Sequence, residues 1–332
     1  MKSTFNPRTF ARRPLLLALA LAALTAPAVH AQAWPTQPIK LIVAFAPGGA
    51  ADTVTRLTAK EMEKTLGQPV VVDNKPGGST FIATQALTAS KPDGYTMMVV
   101  SNDTLMVNPH LFKAPYDIRQ SFDYVAIFGE YAPAVLVART TLPVNDAKEA
   151  IEYLKKNPGK VNYASHGTGS TSHIRMELLL AKLGVKQNHI PYKGGAPALQ
   201  DLSGGQVDFL VDSPVSSMPL VKAGRIKAVA AMGKERYFDL PNVMTLAEAG
   251  AGAGDFVTFQ GIMAPKGTPP AVIKAFSDAV SKAVSDPVLR EALGSRGLKP
   301  VYRGPAEFQA LVYEGSDMMK KVITDNNITA GN

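Results

Sequence analysis

The stretch "LIVAFAPGGAADTVTRL", residues 41–57, passes from an unbroken apolar run through Pro47-Gly48-Gly49 into a helical pattern. Two glycines and an Asp at the seam between strand and helix suit a nucleotide phosphate, a substrate carboxylate or a tight turn. Which of the three applies depends on the rest of the chain.

Outward from that seam, residues 39–46 read as a buried strand. Residues 53–66 read as a helix with Val54, Leu57, Met62 and Leu66 on one side. Residues 70–72 and 96–100 are further apolar strands, and such runs separated by helices predict a parallel sheet covered on both faces. The pattern then starts afresh. Helices are expected at 146–156 and 172–183, and strands at 161–164, 207–211 and 226–232. Residues 269–285 form an amphipathic pattern with prolines in its first turn, and Pro305 opens a long terminal helix through Phe308, Leu311, Met318 and Val322. Two sets of β/α units with a helix-rich tail predict two α/β lobes, the tail returning to the first.

The first residues have a different character. Lys2, Arg8, Arg12 and Arg13 precede an apolar run that begins at Pro14 and ends near Pro27, with small residues at 29–33. That order is expected of a secretory signal peptide, residues 1–31, with cleavage after Ala31 or Ala33. Four of the positive charges lie there, so the formal net charge of +8 falls to +4 without it. Nowhere later do Lys and Arg cluster with aromatics, which argues against nucleic acid as a partner. The chain has no Cys, which excludes thiolate catalysis and Cys-ligated metals, and its five His show no HxxxH or HExxH spacing. No metal and no cofactor is expected.

Three glycine-rich loops stand out: 46–52, 74–80 and 165–173, each after a strand. Their backbone N–H groups, helix starts and Ser/Thr hydroxyls suit an anion, and in open α/β sheets such loops gather where ligands bind. A dinucleotide is disfavoured: after Gly167-Thr168-Gly169 the third glycine position holds Ser172, and the expected acid is replaced by Lys186-Gln187-Asn188-His189. No P-loop motif occurs. Ser170 and His173 suggest a hydrolase, yet no G-x-S-x-G elbow exists, and Ser170 at a helix start is the residue type that caps. Asp52 reads the same way, as a cap for the helix after it. His166 and His189 read as loop or surface residues. Asp201, Asp208 and Asp212 make no paired-carboxylate site that the sequence demonstrates.

Taken in order, several motifs resemble the Bug family of extracytoplasmic solute-binding proteins of tripartite tricarboxylate transporters. They are 47–52 (PGGAAD), 74–78 (NKPGG), 91–96 (KPDGYT), 167–173 (GTGSTSH), 191–198 (PYKGGAPA), 202–208 (LSGGQVD) and 264–269 (APKGTP). The resemblance runs from about residue 35 to the terminus. It implies a type II periplasmic-binding-protein fold, two α/β lobes joined by two hinge strands with the ligand in the cleft. By that likeness the first lobe is 34–133 plus 255–332, and the second is 134–254.

The family's ligands are small carboxylates, dicarboxylic or aromatic or amino acids, gripped by a loop from each domain. Carried onto this chain, the candidate ligand-binding residues are Pro47, Gly48, Gly49, Ala50 and Ala51 in one loop and Gly167, Thr168, Gly169 and Ser170 in the other. Ser79, Thr80, Ser101, His173 and Asp212 complete the set. Ser79 and Thr80 depart from the family pattern, placing hydroxyls where small residues are usual, and a tryptophan common ahead of the late Gly is replaced in Phe259-Gln260-Gly261. The expected role is a periplasmic, non-enzymatic, monomeric receptor delivering its ligand to a membrane permease. The alternatives are an exported serine hydrolase using Ser170, or a ligand sensor signalling to a membrane kinase.

Overall fold

A computed structural model describes Met1 and residues 34–330 other than 132, 238 and 255. The expected leader falls, beyond Met1, outside the described residues. Gln37–Asn332 forms one compact unit.

Strand β1 (Ile39–Val43) is buried except at Lys40 and pairs in parallel with β2 (Val70–Asn74) and β3 (Thr96–Val100). Helix α1 (Ala50–Leu66) joins the first two and α2 (Phe81–Thr88) the next. Val54, Thr58, Ala59, Met62 and Leu66 form the buried face of α1, and Gly67, left-handed at φ 69°, ends it. A π-helical turn, Asp103–Val107, and α3 (Asn108–Leu111) follow β3. The chain then runs along β4 (Phe122–Tyr131) and crosses into a second sheet at β5 (Val135–Arg139).

The second sheet is built by α4 (Ala147–Lys156), β6 (Asn162–Ser165), α5 (Thr171–Leu183), β7 (Asn188–Pro191) and α6 (Gly195–Ser203). It is completed by β8 (Phe209–Asp212), α7 (Pro214–Lys222) and β9 (Ile226–Ala231). The chain returns to the first sheet at β10 (Phe259–Pro265), then adds α8 (Pro270–Ser285), α9 (Pro287–Gly294), β11 (Leu298–Arg303) and α10 (Pro305–Asp325). The strand orders are β2-β1-β3-β10-β4-β11 and β7-β6-β8-β5-β9.

Both sheets are mixed, which corrects the expectation of a parallel sheet. β10 runs against β3 and β4, and β5 runs against β8 and β9. The reason is where the chain crosses. The carboxyl ends of β1, β3 and β4 and those of β6 and β8 face one another across a cleft. A strand arriving from the other lobe starts at the cleft, so it must run away from it, opposite to its neighbours. The strand expected over 39–46 stops at Val43, and the helix expected from residue 53 begins at Ala50, because 44–49 are given over to the loop.

Each sheet has its own core. Phe308, Val312, Met319 and Ile323 of α10 pack with Ile42, Met98, Ile127 and Phe259 of the first sheet. Around the second sheet, one face buries Leu136, Tyr163, Leu179, Phe209 and Val229, and the other Val137, Leu199, Leu202 and Leu210. Fully burying one such side chain contributes about 1.5–3 kcal/mol relative to exposure. Each lobe thus has a rigid platform of its own on which to present the strand-end loops.

Candidate functional site

Those strand ends enclose a cavity that opens to solvent. From the first lobe it is walled by Gly49, Ala50 and Ala51 after β1 and by Ser101 and Asp103 after β3. From the second come His166 after β6, Gly195 after β7, and Asp212 with Ser213 at the end of β8. Tyr131, Ala134, Thr258 and Gln260 on the crossing segments close its back.

Two helices begin at this cavity without a side-chain cap. Gly49 is the N-cap of α1 and Gly194 that of α6, and neither start is satisfied by a side-chain oxygen. The first N–H groups of a helix have no partner within it and carry the positive end of its dipole. In α1 those groups belong to Ala50 and Ala51, whose side chains offer no hydrogen bond of their own. The two loops also touch across the cleft, where Ala46 N–H donates to Lys193 O at 3.1 Å. Gly48, at φ 81°, lies beside Ala196, and a Cβ there would come to 3.9 Å of the Ala196 Cβ.

Asp52 lies in the first turn of α1, not at its N-cap as expected. Its Oδ2 accepts Gly48 N–H at 2.9 Å and Arg56 Nε at 3.0 Å, and its Oδ1 accepts Asn74 Nδ2 at 3.0 Å. Burial works against its charge, but the bonds from Arg56, Gly48 and Asn74 outweigh that and hold the carboxyl below its usual range. Asp52 therefore shapes the loop from behind and is absent from the cavity wall.

A second cavity adjoins the first, sharing Phe45, Asp103 and His166, and is lined by Ser79, Thr80, Gly167, Thr168 and Ser170. Here Ser79 Oγ donates to Thr168 O at 2.9 Å from lobe to lobe. Ser79 and Thr80 have φ of 49° and 71°, a left-handed conformation costly for residues with a Cβ. Asn108 Nδ2 holds them in it, donating to Ser79 O at 2.6 Å.

Of the expected site residues, Gly49, Ala50, Ala51, Ser101 and Asp212 line the first cavity. Ser79, Thr80, Gly167, Thr168 and Ser170 line the second. Pro47, Gly48, Gly169 and His173 line neither. Gly169 instead packs tightly against the first lobe, since a Cβ there would collide with the Asn108 side chain and the Phe112 ring. The loop facing residues 47–49 is 193–196; residues 167–168 face Ser79.

Ser170 caps α5, its Oγ accepting His173 N–H at 3.2 Å. The His173 ring turns inward, where Nδ1 accepts Gly169 N–H at 3.3 Å and the ring stacks on His189 with centroids 4.1 Å apart. Burial, with the neighbouring His189, lowers the His173 pKa to about 3, and burial lowers that of His189 to about 4. His189 lies half-buried on the edge strand β7, not in a loop; the Tyr163 ring stacks on it, and its Nε2 lies 2.6 Å from the Ser165 hydroxyl.

Several residues of the site were not singled out by the sequence. His166, read as a loop residue, lines both cavities and bonds Asp212 Oδ1 through Nε2 at 2.8 Å. Asp103 is 4% exposed and accepts Thr171 N–H at 2.6 Å through Oδ1, from the other lobe. Its legible signal is position, an acid three residues past an apolar strand. Arg175 donates Nε to Gly254 O at 3.1 Å, and its Nη2 reaches Phe256 O at 2.6 Å and Thr258 Oγ1 at 2.9 Å, tying α5 to the returning segment. Gln260 Nε2 donates to the Tyr131 hydroxyl at 2.8 Å, joining the two crossings.

No cluster of three His, Asp or Glu suited to a metal occurs among the described residues. No helix among them is long and apolar enough to cross a membrane.

The model of the tripartite tricarboxylate transporter family receptor matches residues 54–328. A UPF0065 protein of Bordetella pertussis is 37% identical over 296 residues, covering 89% of this chain and 90% of that protein. Among solved structures, the periplasmic binding protein BugD superposes with a TM-score of 0.85 at 32% identity, over 89% of this chain and 99% of that one. MatC from Rhodopseudomonas palustris, with bound malate, superposes with a TM-score of 0.83 at 33% identity, over 87% and 100%. These likenesses show the two-lobed periplasmic-binding-protein fold.

Proposed function

This chain belongs to the tripartite tricarboxylate transporter receptor family, the Bug-type solute-binding proteins, and from that premise we propose that it captures a small carboxylate between its lobes in the periplasm and delivers it to a membrane permease. The observation that carries the reading is the pair of uncapped helix starts, α1 from one lobe and α6 from the other, opening on a single cavity. Backbone N–H groups from both sides hold a carboxylate without a full countercharge, which leaves the bound anion releasable. Closing the lobes expels water and strengthens each of those bonds, and it changes the surface that a permease would read.

The lobes of this reading are 34–133 with 255–332, and 134–254. The candidate contacts are Gly49, Ala50 and Ala51 with Gly195, while Ser79, Thr168 and Ser170 line the adjoining cavity. The protein acts as a monomer and has no turnover. For a hydrolase, Ser170 would need a base, and the His173 ring is committed to Gly169 and His189. A thermal-shift screen with dicarboxylic, aromatic and amino acids tests the reading, together with an assay of ester hydrolysis. Stabilisation by at least one acid and no ester turnover are expected. No response to any acid, or turnover lost in Ser170→Ala, overturns it.

A further inference from the structure

Three buried acceptors line the cavity beside α1: Asp103, Gln260 and Ser101. Asp103 is buried there, and the hydrogen bonds it receives come from Thr171, a neutral partner. Beside it Gln260 and Ser101, 2% and 4% exposed, line the same cavity, and Gln260 Oε1 and Ser101 Oγ have no hydrogen-bond partner. Native proteins rarely leave such buried atoms unpaired, so an unpaired pair on a cavity wall marks where a ligand group belongs.

Two cations line the cavity with Asp103 and favour its charge at a distance, but their hydrogen bonds go to other groups. Arg175 directs Nε and Nη2 to the carbonyls of Gly254 and Phe256 and to Thr258 Oγ1. The His166 ring is bonded to Asp212 Oδ1, while Asp212 Oδ2 takes the Ser216 hydroxyl.

We propose that the ligand selected by this cleft carries an ammonium group besides its carboxylate, the ammonium being received by Asp103, Gln260 Oε1 and Ser101 Oγ. This rests on the carboxylate reading above and names the class of carboxylate. Three acceptors match the three N–H donors of an ammonium. A second ligand carboxylate at the same wall would face the Asp103 carboxyl and an amide oxygen, both acceptors when Asp103 is ionised. Burial raises the Asp103 pKa against the opposing pull of Thr171, His166 and Arg175, and a bound cation offsets that penalty.

The test is titration calorimetry of the whole protein with acids matched in spacer. β-Alanine, 4-aminobutanoate and 5-aminopentanoate are set against succinate, glutarate and adipate, and aspartate and glutamate are added for an ammonium next to a carboxylate. At least one ammonium-bearing acid is expected to bind tenfold or more tighter than succinate, glutarate and adipate, the diacids without an ammonium. Asp103→Asn, which keeps an oxygen for Thr171 N–H, is expected to cost that ligand tenfold or more while diacids bind as well as before or better. Gln260→Met, a second variant should the first fail to fold, is expected to weaken the ammonium-bearing ligand threefold to tenfold. Diacids binding as tightly as the amino acids, or variants that leave the preference unchanged, overturn the inference and leave the carboxylate reading standing. No binding by any acid overturns both.

Discussion

Ser79 of the first lobe donates its hydroxyl to the carbonyl oxygen of Thr168 in the second, at 2.9 Å, and does so from a left-handed backbone at φ 49°. A serine in that conformation costs about 1–2 kcal/mol, a penalty that glycine escapes. The strained residue is thus also the one that reaches across the cleft, and it does so only while the lobes are together.

Ser79→Gly therefore separates fold from closure. It relieves the strain and removes a bond worth about 0.5–1.5 kcal/mol in the closed form. The ligand-free melting temperature is expected to stay within a few degrees of the parent, and affinity for the bound acid to fall about two- to tenfold. Calorimetry beside a melting curve checks both, and unchanged affinity would remove the Ser79–Thr168 contact from the closing equilibrium.

Ala50→Asp places a carboxylate at the first position of α1, where the cavity wall has only backbone donors. A negative charge there favours the helix by about 0.3–1 kcal/mol through its dipole. It also occupies the anion position and repels the ligand. Binding is expected to weaken at least a hundredfold while the melting temperature holds or rises slightly. Retained affinity would place the ligand carboxylate away from α1.

Arg175 bonds two carbonyls and a hydroxyl of the segment that carries the chain back to the first sheet, and its guanidinium lies 4.4 Å from the Phe256 ring centroid. Arg175→Met leaves those buried acceptors without their donor. A loss of about 3 kcal/mol is expected, measured by urea unfolding, with Arg175→Lys recovering only part of it because an ammonium cannot reproduce the fork. A stability change under about 0.5 kcal/mol would count against this tie as a fastening of the return crossing.

Acid should loosen the second lobe before it protonates ordinary carboxylates. His173 and His189 have folded pKa values lowered to about 3 and about 4, against an ordinary value of 6.5. Between those limits the unfolded chain binds protons that the folded chain refuses. Stability from the two rings is therefore complete above about pH 6.5 and is lost as pH falls, by up to about 1.4 kcal/mol per pH unit for each ring. Melting temperatures from pH 7.5 to 4.5 are expected to fall accordingly. In His189→Phe, which keeps a ring against Tyr163, the slope should be shallower; an identical slope would assign the acid sensitivity to other groups.

What the sequence determined by itself is local. The apolar run ending at Val43, the glycines after it, the serine at the start of α5 and the amphipathic tail each report burial or helix starts through neighbours a few residues away. The order of the motifs was likewise enough to identify the family. Direction and pairing across the chain were decided only by the tertiary structure. Nothing in residues 122–131 or 259–265 states that β10 will lie between β3 and β4 and run against both, because hydrophobicity records that a strand is buried and not beside what.

The site follows the same division. Gly49 and Gly195 are 146 positions apart in this sequence, and Asp103 and Thr171 belong to different lobes, so their meeting depends on how two separately packed cores close. Loops 47–51 and 167–170 were legible as anion-seeking from their glycines and hydroxyls. That 193–196 is the loop opposite residues 47–49, that His173 turns into the core, and that Asp103 and Asp212 line one cavity are consequences of packing, which brings distant side chains together.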